Sequence, residues 1–249
     1  MPDLSSLKES LMSALALATA PVAVSFSDTA PAGVNMPQAR VAAGCGFWEV
    51  GAVTPVVTNA EHHQFCSIGI HTHMIADAPE SQMDELGAAL GAMQGLDYVR
   101  PEEVSALPVM EKASKHVIYA PLGDTDVQPD VVLLFANGVQ SLIITEAVAR
   151  VDGGIPGAMG RPACALIPAV VNGGRSVSSL GCCGARAYLD TLSDGVALWG
   201  LVGAQIAEYV AEIEKLAHAN SVLTQFHATR RQQIVDGASP SVNETLATL

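Results

Sequence analysis

The sequence predicts an α/β protein (α+β as the alternative), one globular unit made of two pseudo-symmetric α/β halves and a long C-terminal helix. Two observations lead there. Short runs rich in Val, Ile and Phe alternate with longer segments whose apolar residues recur at helical spacing, and Gly, Pro and Asn gather between them. The chain is also 49% apolar and 15% charged over 249 residues, which suits a large buried core and not disorder. Aromatic residues are only 4%, so that core rests on Val, Leu, Ile and Ala.

In chain order, Leu4, Leu7, Leu11 and Leu15 share one helical face. Asp3, Lys8 and Glu9 make this segment a poor secretory leader, although an Ala-Thr-Ala precedes Pro21. Pro21 to Phe26 is an apolar run opened by proline, hence a strand, and 29–38 is a loop. A short helix is expected around Cys45, Phe47, Trp48 and Val50, and a strand from Pro55. Met83, Leu86, Leu90 and Met93 space a helix; 116–122 and 130–135 are the clearest strands; 141–150 is a helix. The glycines and Pro156 make 151–161 a loop. A short helix at 164–171 and a strand at 176–180 follow, and the strand enters the turn Gly181-Cys182-Cys183-Gly184. Asp194 is positioned to cap a helix running to 235, whose stripe includes Val196, Leu198, Trp199 and Val202. The tail after Gly237 is expected to be loose. The whole of 1–249 is then one domain, with similar halves at about 15–95 and 116–195 and the helix at 194–235.

The duplication is suggested by the cysteines. Cys45 and Cys164 each sit at a helix start downstream of a strand; Cys66 and Cys182 each follow the next strand and stand beside glycine, 21 and 18 positions later. If the halves face each other, four thiolates meet at one site, and four thiolates suit a [4Fe-4S] cluster or zinc. No local Cys-x-x-Cys supports either metal by itself. Buried cysteines acting as small hydrophobes are the plain alternative, and Cys164 within Ala-Cys-Ala-Leu-Ile suits it. Of the vicinal pair, Cys182 is the expected ligand and Cys183 a neighbouring thiol, because adjacent side chains in extended backbone face opposite ways.

His62, His63, His71 and His73 crowd around Cys66. His62 or His63 is a candidate acid–base group, and in a strand His71 and His73 would share a face. Arg186 is positioned to clamp a carboxylate. Arg40 and Arg161, just before Cys45 and Cys164, would help make the pocket positive and lower the thiol pKa values. Cys66 or Cys183 beside a histidine is also the pattern of a cysteine-nucleophile enzyme.

With 12 basic and 25 acidic residues the net charge is −13, and the one adjacent basic pair is Arg230-Arg231. Nucleic acid and anionic membranes are therefore excluded as natural partners. Walker loops, a Gly-x-Ser-x-Gly elbow and a His-Glu-x-x-His helix are absent from the sequence.

Several stretches together resemble the domain of unknown function 169 (DUF169) family. They are Pro21-Val22-Ala23-Val24, Cys45-Gly46-Phe47-Trp48, Cys66-Ser67-Ile68-Gly69, Tyr119-Ala120-Pro121-Leu122, Pro129-Asp130-Val131-Val132 and Ser179-Leu180-Gly181-Cys182-Cys183-Gly184-Ala185-Arg186. They span nearly the whole chain in order. The resemblance implies that Cys45, Cys66, Cys164 and Cys182 are family features, with Cys183 in a variable slot; it implies no activity. The expectation is a cytoplasmic [4Fe-4S] protein, an oxidoreductase or lyase acting on a small anionic molecule or serving a redox partner protein. A non-catalytic zinc or small-ligand module is the alternative. The apolar Trp199 helix offers a face for a homodimer.

Overall fold

The structure, a computed structural model, describes residues 2–38 and 40–249. Its centre is a seven-stranded mixed sheet. The strands are β1 (Val22–Ser27), β2 (Val56–Thr58), β3 (His116–Pro121), β4 (Val131–Asn137), β5 (Gly157–Met159), β6 (Val177–Ser179) and β7 (Val196–Val202), in the order β2-β3-β1-β4-β7-β6-β5. All neighbours run antiparallel except the edge pair β5–β6. Outward from the central β1–β4 pair, one side passes to β3 and then the short β2, the other to β7 and then the short β6 and β5.

Both faces of this sheet are covered, which is why its strands are nearly continuous apolar runs. Side chains alternate between the faces. Val22, Val24, Val131, Leu133, Phe135 and Leu198 enter one core; Ala23, Val132, Leu134, Ala136, Trp199 and Leu201 enter the other. The second core is closed by α1 (Leu4–Leu15), α6 (Gly138–Asp152) and α9 (Ile206–Val235). Asp3 caps α1 by accepting from the Ser5 and Ser6 amides, and an Asn137–Gln140 capping box starts α6. Among the described residues, no helix is long and apolar enough to cross a membrane.

The first core is closed by four short helices: α2 (Gly46–Gly51), α3 (Ser67–His73), α7 (Leu166–Gly173) and α8 (Cys183–Tyr188). Phe47 and Trp48 anchor α2, and Leu166, Ile167 and Val170 anchor α7; all five are fully buried. Helix α7 comes so near the sheet that a Cβ on Gly200 would stand 2.3 Å from Leu166 Cδ2, so the strand needs glycine there. Two further helices, α4 (Ser81–Gly95) and α5 (Pro101–Ser105), lie beyond α3; α4 buries only Gln82 and Leu86, and α5 buries nothing.

Several expectations need correcting. The helix expected at 194–235 starts at Ile206, because 196–202 is strand β7, paired along its length with β4. A seven-residue apolar run satisfies either period, and burial on both faces selected the strand. Trp199 therefore lies in the sheet, 3% exposed, with its indole N–H donating to Ser141 Oγ at 3.1 Å, and presents no dimer face. The 151–161 loop contains β5, held by parallel pairing to β6. The turn at Cys182–Gly184 is the start of α8. The tail folds back as α10 (Val242–Leu246), where the buried Thr245 hydroxyl donates to Gln233 of α9 at 2.8 Å.

Candidate metal centre

Each of the four cysteines stands where a short helix begins on the same face of the sheet. Cys45 precedes α2, Cys66 precedes α3, Cys182 precedes α8, and Cys164 lies in the 3-10 turn Ala163–Ala165 that leads into α7. The first turn of a helix has amide N–H groups with no partner inside the helix, so these positions favour a negatively charged sulfur. One such bond is in place: the Ala185 amide donates to Cys182 Sγ at 3.5 Å. The α3 turn carries Gly69, whose missing side chain makes room for sulfur; a Cβ there would be 2.9 Å from Cys66 Sγ.

The tertiary fold brings all four together around one cavity of about 240 Å³, whose walls also include Ala43, Phe65, Ala163 and Tyr188. Cys45 and Cys164 are buried, Cys66 and Cys182 half-buried, and none forms a disulfide. Burial pushes the Cys45 thiol up to about 12, with Cys66 and Cys182 adding repulsion. Burial also raises Cys164 strongly, assisted by Cys66; the Thr72 hydroxyl, donating to its sulfur at 3.5 Å, opposes the rise. The arginine-lowered thiols expected from the sequence do not occur at these two positions. Metal-free, both are protonated, and a metal must displace their protons on binding.

The donor set was tested against the two groups that four thiolates suggest. Among the described residues, no three His, Cys, Asp or Glu side chains converge tightly enough to grip a single metal ion. A lone zinc needs every sulfur about 2.3 Å from one point. A cluster brings its own inorganic sulfides and spaces its thiolates more widely, so thiols set around a cavity are donors of the kind it takes.

Buried polar atoms surround the thiols. Tyr119 of β3 is fully buried, and its hydroxyl has no hydrogen-bond partner among the described residues. Burial drives its pKa well up, and Cys66, Cys164 and Cys45 add to the rise. In the sequence Tyr119 stands out only as a hydroxyl-bearing ring inside the run Val117-Ile118-Tyr119-Ala120.

The histidines separate. His71 and His73 lie in helix α3, not a strand, and two positions along a helix turn about 200°. They consequently face apart. His73 is buried and donates from Nε2 to the Cys164 carbonyl at 3.2 Å, while burial lowers its pKa to about 4. His63 is buried between Phe47 and Tyr119, with burial lowering its pKa to about 3. Its Nε2 is 3.0 Å from Thr58 Oγ1, which in turn donates to the Val117 carbonyl. Nε2 therefore carries the proton, and His63 is a neutral, buried core residue at neutral pH. His62 is half-buried against Asn59, and neither His62 nor His63 lines the cysteine cavity.

Arg186 serves a different purpose from the expected carboxylate clamp. Its guanidinium donates to the backbone carbonyls of Leu180, Leu192, Ser193 and Val196, with every nitrogen engaged. The fork locks the 180–196 loop around α8 and thereby fixes Cys182. Arg40 covers the ring of Phe65 at 4.8 Å, and Arg161 covers that of Tyr98 at 4.5 Å. Cys183 is exposed and accepts from the Tyr98 hydroxyl at 3.5 Å.

A second cavity of about 220 Å³ adjoins the first, and Ile68, Pro162, Cys182 and Gly184 line both.

The comparisons add a family and nothing more specific. The family model of DUF169, described as an uncharacterised ArCR, matches residues 10–211. No curated protein matches the chain, and no solved structure does.

Proposed function

Since the chain belongs to the DUF169 family, an uncharacterised one, we propose a function from the site itself: the protein holds a [4Fe-4S] cluster on Cys45, Cys66, Cys164 and Cys182. The observation that carries this reading is the convergence of four thiols, two from each half of the chain, on one cavity. Such a cluster supplies one-electron chemistry, or a Lewis-acidic iron where a ligand position opens.

The remaining roles belong to the chain's own residues. Phe47, Trp48 and Leu166 close the inner side and exclude water from it. Thr72, the Ala185 amide and the Tyr119 phenol are donors available to sulfur, and hydrogen bonds to sulfur are among the levers that set a cluster's potential. Cys66 and Cys182, half-buried, form the side nearest solvent, where a small anionic molecule or a redox partner would approach. Five unpaired cysteines are consistent with a reducing compartment such as the cytoplasm. The same reading treats the chain as an internal duplication, each half donating one cysteine before a short strand, β2 or β6, and one after it.

Anaerobic reconstitution with iron and sulfide tests this. The expected result is a brown protein with about four iron and four acid-labile sulfide per chain. Loss of that colour is expected in each single Cys→Ser variant at the four positions but not in Cys183→Ser. A colourless product, or zinc held at one per chain in preference to iron, overturns the proposal.

A further inference from the structure

The second cavity lies beneath α4 and α5. Its body is aliphatic: Leu86, Leu90 and Met93 from α4, Val104 and Leu107 from α5 and the turn after it, and Ile68 from α3. The polar lining is Arg161, Tyr98 and Cys183, which stand together, with His71 and the carboxylate of Glu103. A water occupies about 30 Å³ of liquid, so about 220 Å³ holds some seven waters, or one compact organic molecule of roughly eight carbons. An aliphatic chamber with a few converging polar groups is the usual form of a small-molecule site.

The charge of Arg161 narrows the ligand. Its contact to Glu103 is marginal, 3.4 Å to one carboxylate oxygen and 3.5 Å to the other, between exposed groups. Glu103 has a better partner of its own, the Arg100 amide at 2.8 Å in the α5 capping box, so it stays satisfied when the arginine leaves. Arg161 is thus a guanidinium already ordered by stacking on Tyr98, with hydrogen-bonding capacity facing an apolar chamber. In a chain of net charge −13, a cation placed there selects for an anion.

We infer that this cavity binds a small carboxylic acid with an apolar body, its carboxylate on Arg161 and its hydrocarbon end among Leu86, Leu90 and Val104. Resting on the cluster reading above, this puts the ligand beside the Cys182 corner, because Cys182 lines both cavities. Arg161, not Arg186, is then the anion-holding residue.

The test is calorimetric titration of the anaerobically reconstituted protein with octanoate, 1-octanol and octylamine. Octanoate should bind at least about tenfold more tightly than 1-octanol, the worth of one charge-assisted hydrogen bond, and octylamine should not bind. Arg161→Gln should remove the preference for octanoate while leaving 1-octanol binding unchanged. Val104→Trp should block both by filling the chamber. Iron content and melting temperature establish that each variant is folded and loaded. Equal binding of octanoate and 1-octanol, no binding of either, or octanoate affinity indifferent to both substitutions overturns the inference. The same titrations on metal-free protein keep the two readings apart: failed iron loading with intact octanoate selectivity sinks the cluster alone. With the cluster present, octanoate should also perturb its visible or paramagnetic spectrum.

Discussion

Replacing Arg186 by methionine isolates the lock on the 180–196 loop. The substitution keeps the aliphatic stem and removes the fork, so four backbone carbonyls lose a cationic donor. A hydrogen bond to a charged group contributes about 1.5–3 kcal/mol, but the residue is only half-buried and water re-solvates part of what is released. A net loss of roughly 2–4 kcal/mol is expected, which for a domain of this size lowers the melting temperature by roughly 5–15 °C. Lysine should rescue only part of this, having no planar fork. Because the loop fixes Cys182, iron affinity should fall as well. Thermal melts of the metal-free protein give the first quantity, and competition with an iron chelator gives the second. A melting temperature within about 2 °C of the native value, paired with loss of small-anion binding, would refute the argument and return Arg186 to a ligand clamp.

Three other perturbations follow from the same geometry. Gly200→Ala drives a methyl into Leu166 and Val170 and should lower stability by about 1–3 kcal/mol by denaturant titration; an unchanged midpoint would mean that α7 does not rest on β7 as described. In metal-free protein, iodoacetamide followed by mass mapping should label exposed Cys183 first and Cys45 and Cys164 last, since burial denies those two both access and thiolate; uniform labelling of all five contradicts this. His63 and His73, lowered by burial to about 3 and about 4 from the ordinary 6.5, bind protons more readily in the unfolded chain. Stability is therefore complete above about pH 6.5 and declines as the pH falls toward 4, so urea midpoints should drop between pH 7 and pH 5; a flat profile counts against neutral, buried imidazoles.

Where local pattern and tertiary environment agree, the chain's architecture was legible. Leu4, Leu11 and Leu15 marked α1 because a one-sided stripe leaves little choice, and Val131 to Phe135 marked β4 because it is a short, wholly apolar run of Val, Leu and Phe bounded by turn residues. The segment 196–202 misled because Val-Ala-Leu-Trp-Gly-Leu-Val suits either period, and only pairing with β4 and the close approach of α7 to Gly200 decide it. At the site, the grouping of four cysteines was visible from their matching places beside strands and helices. The roles of Arg186 and His63 were not, because a guanidinium facing carbonyls and one facing solvent have the same sequence, and so do a buried and a solvated imidazole. The second cavity is built from residues of α3, α4 and α5, the link from α4 to α5, the segment between β5 and α7 and the start of α8, and no local motif announces such an assembly.

The four cavity cysteines are dispersed so that no stretch shorter than Cys45 to Cys182 contains them all. A ribosome must therefore have released most of the polypeptide before the last of these four appears, and neither half made alone carries more than two of them. A ligand held by all four at once would tie the early-made part of the molecule to the late-made part, and its loss would loosen that join.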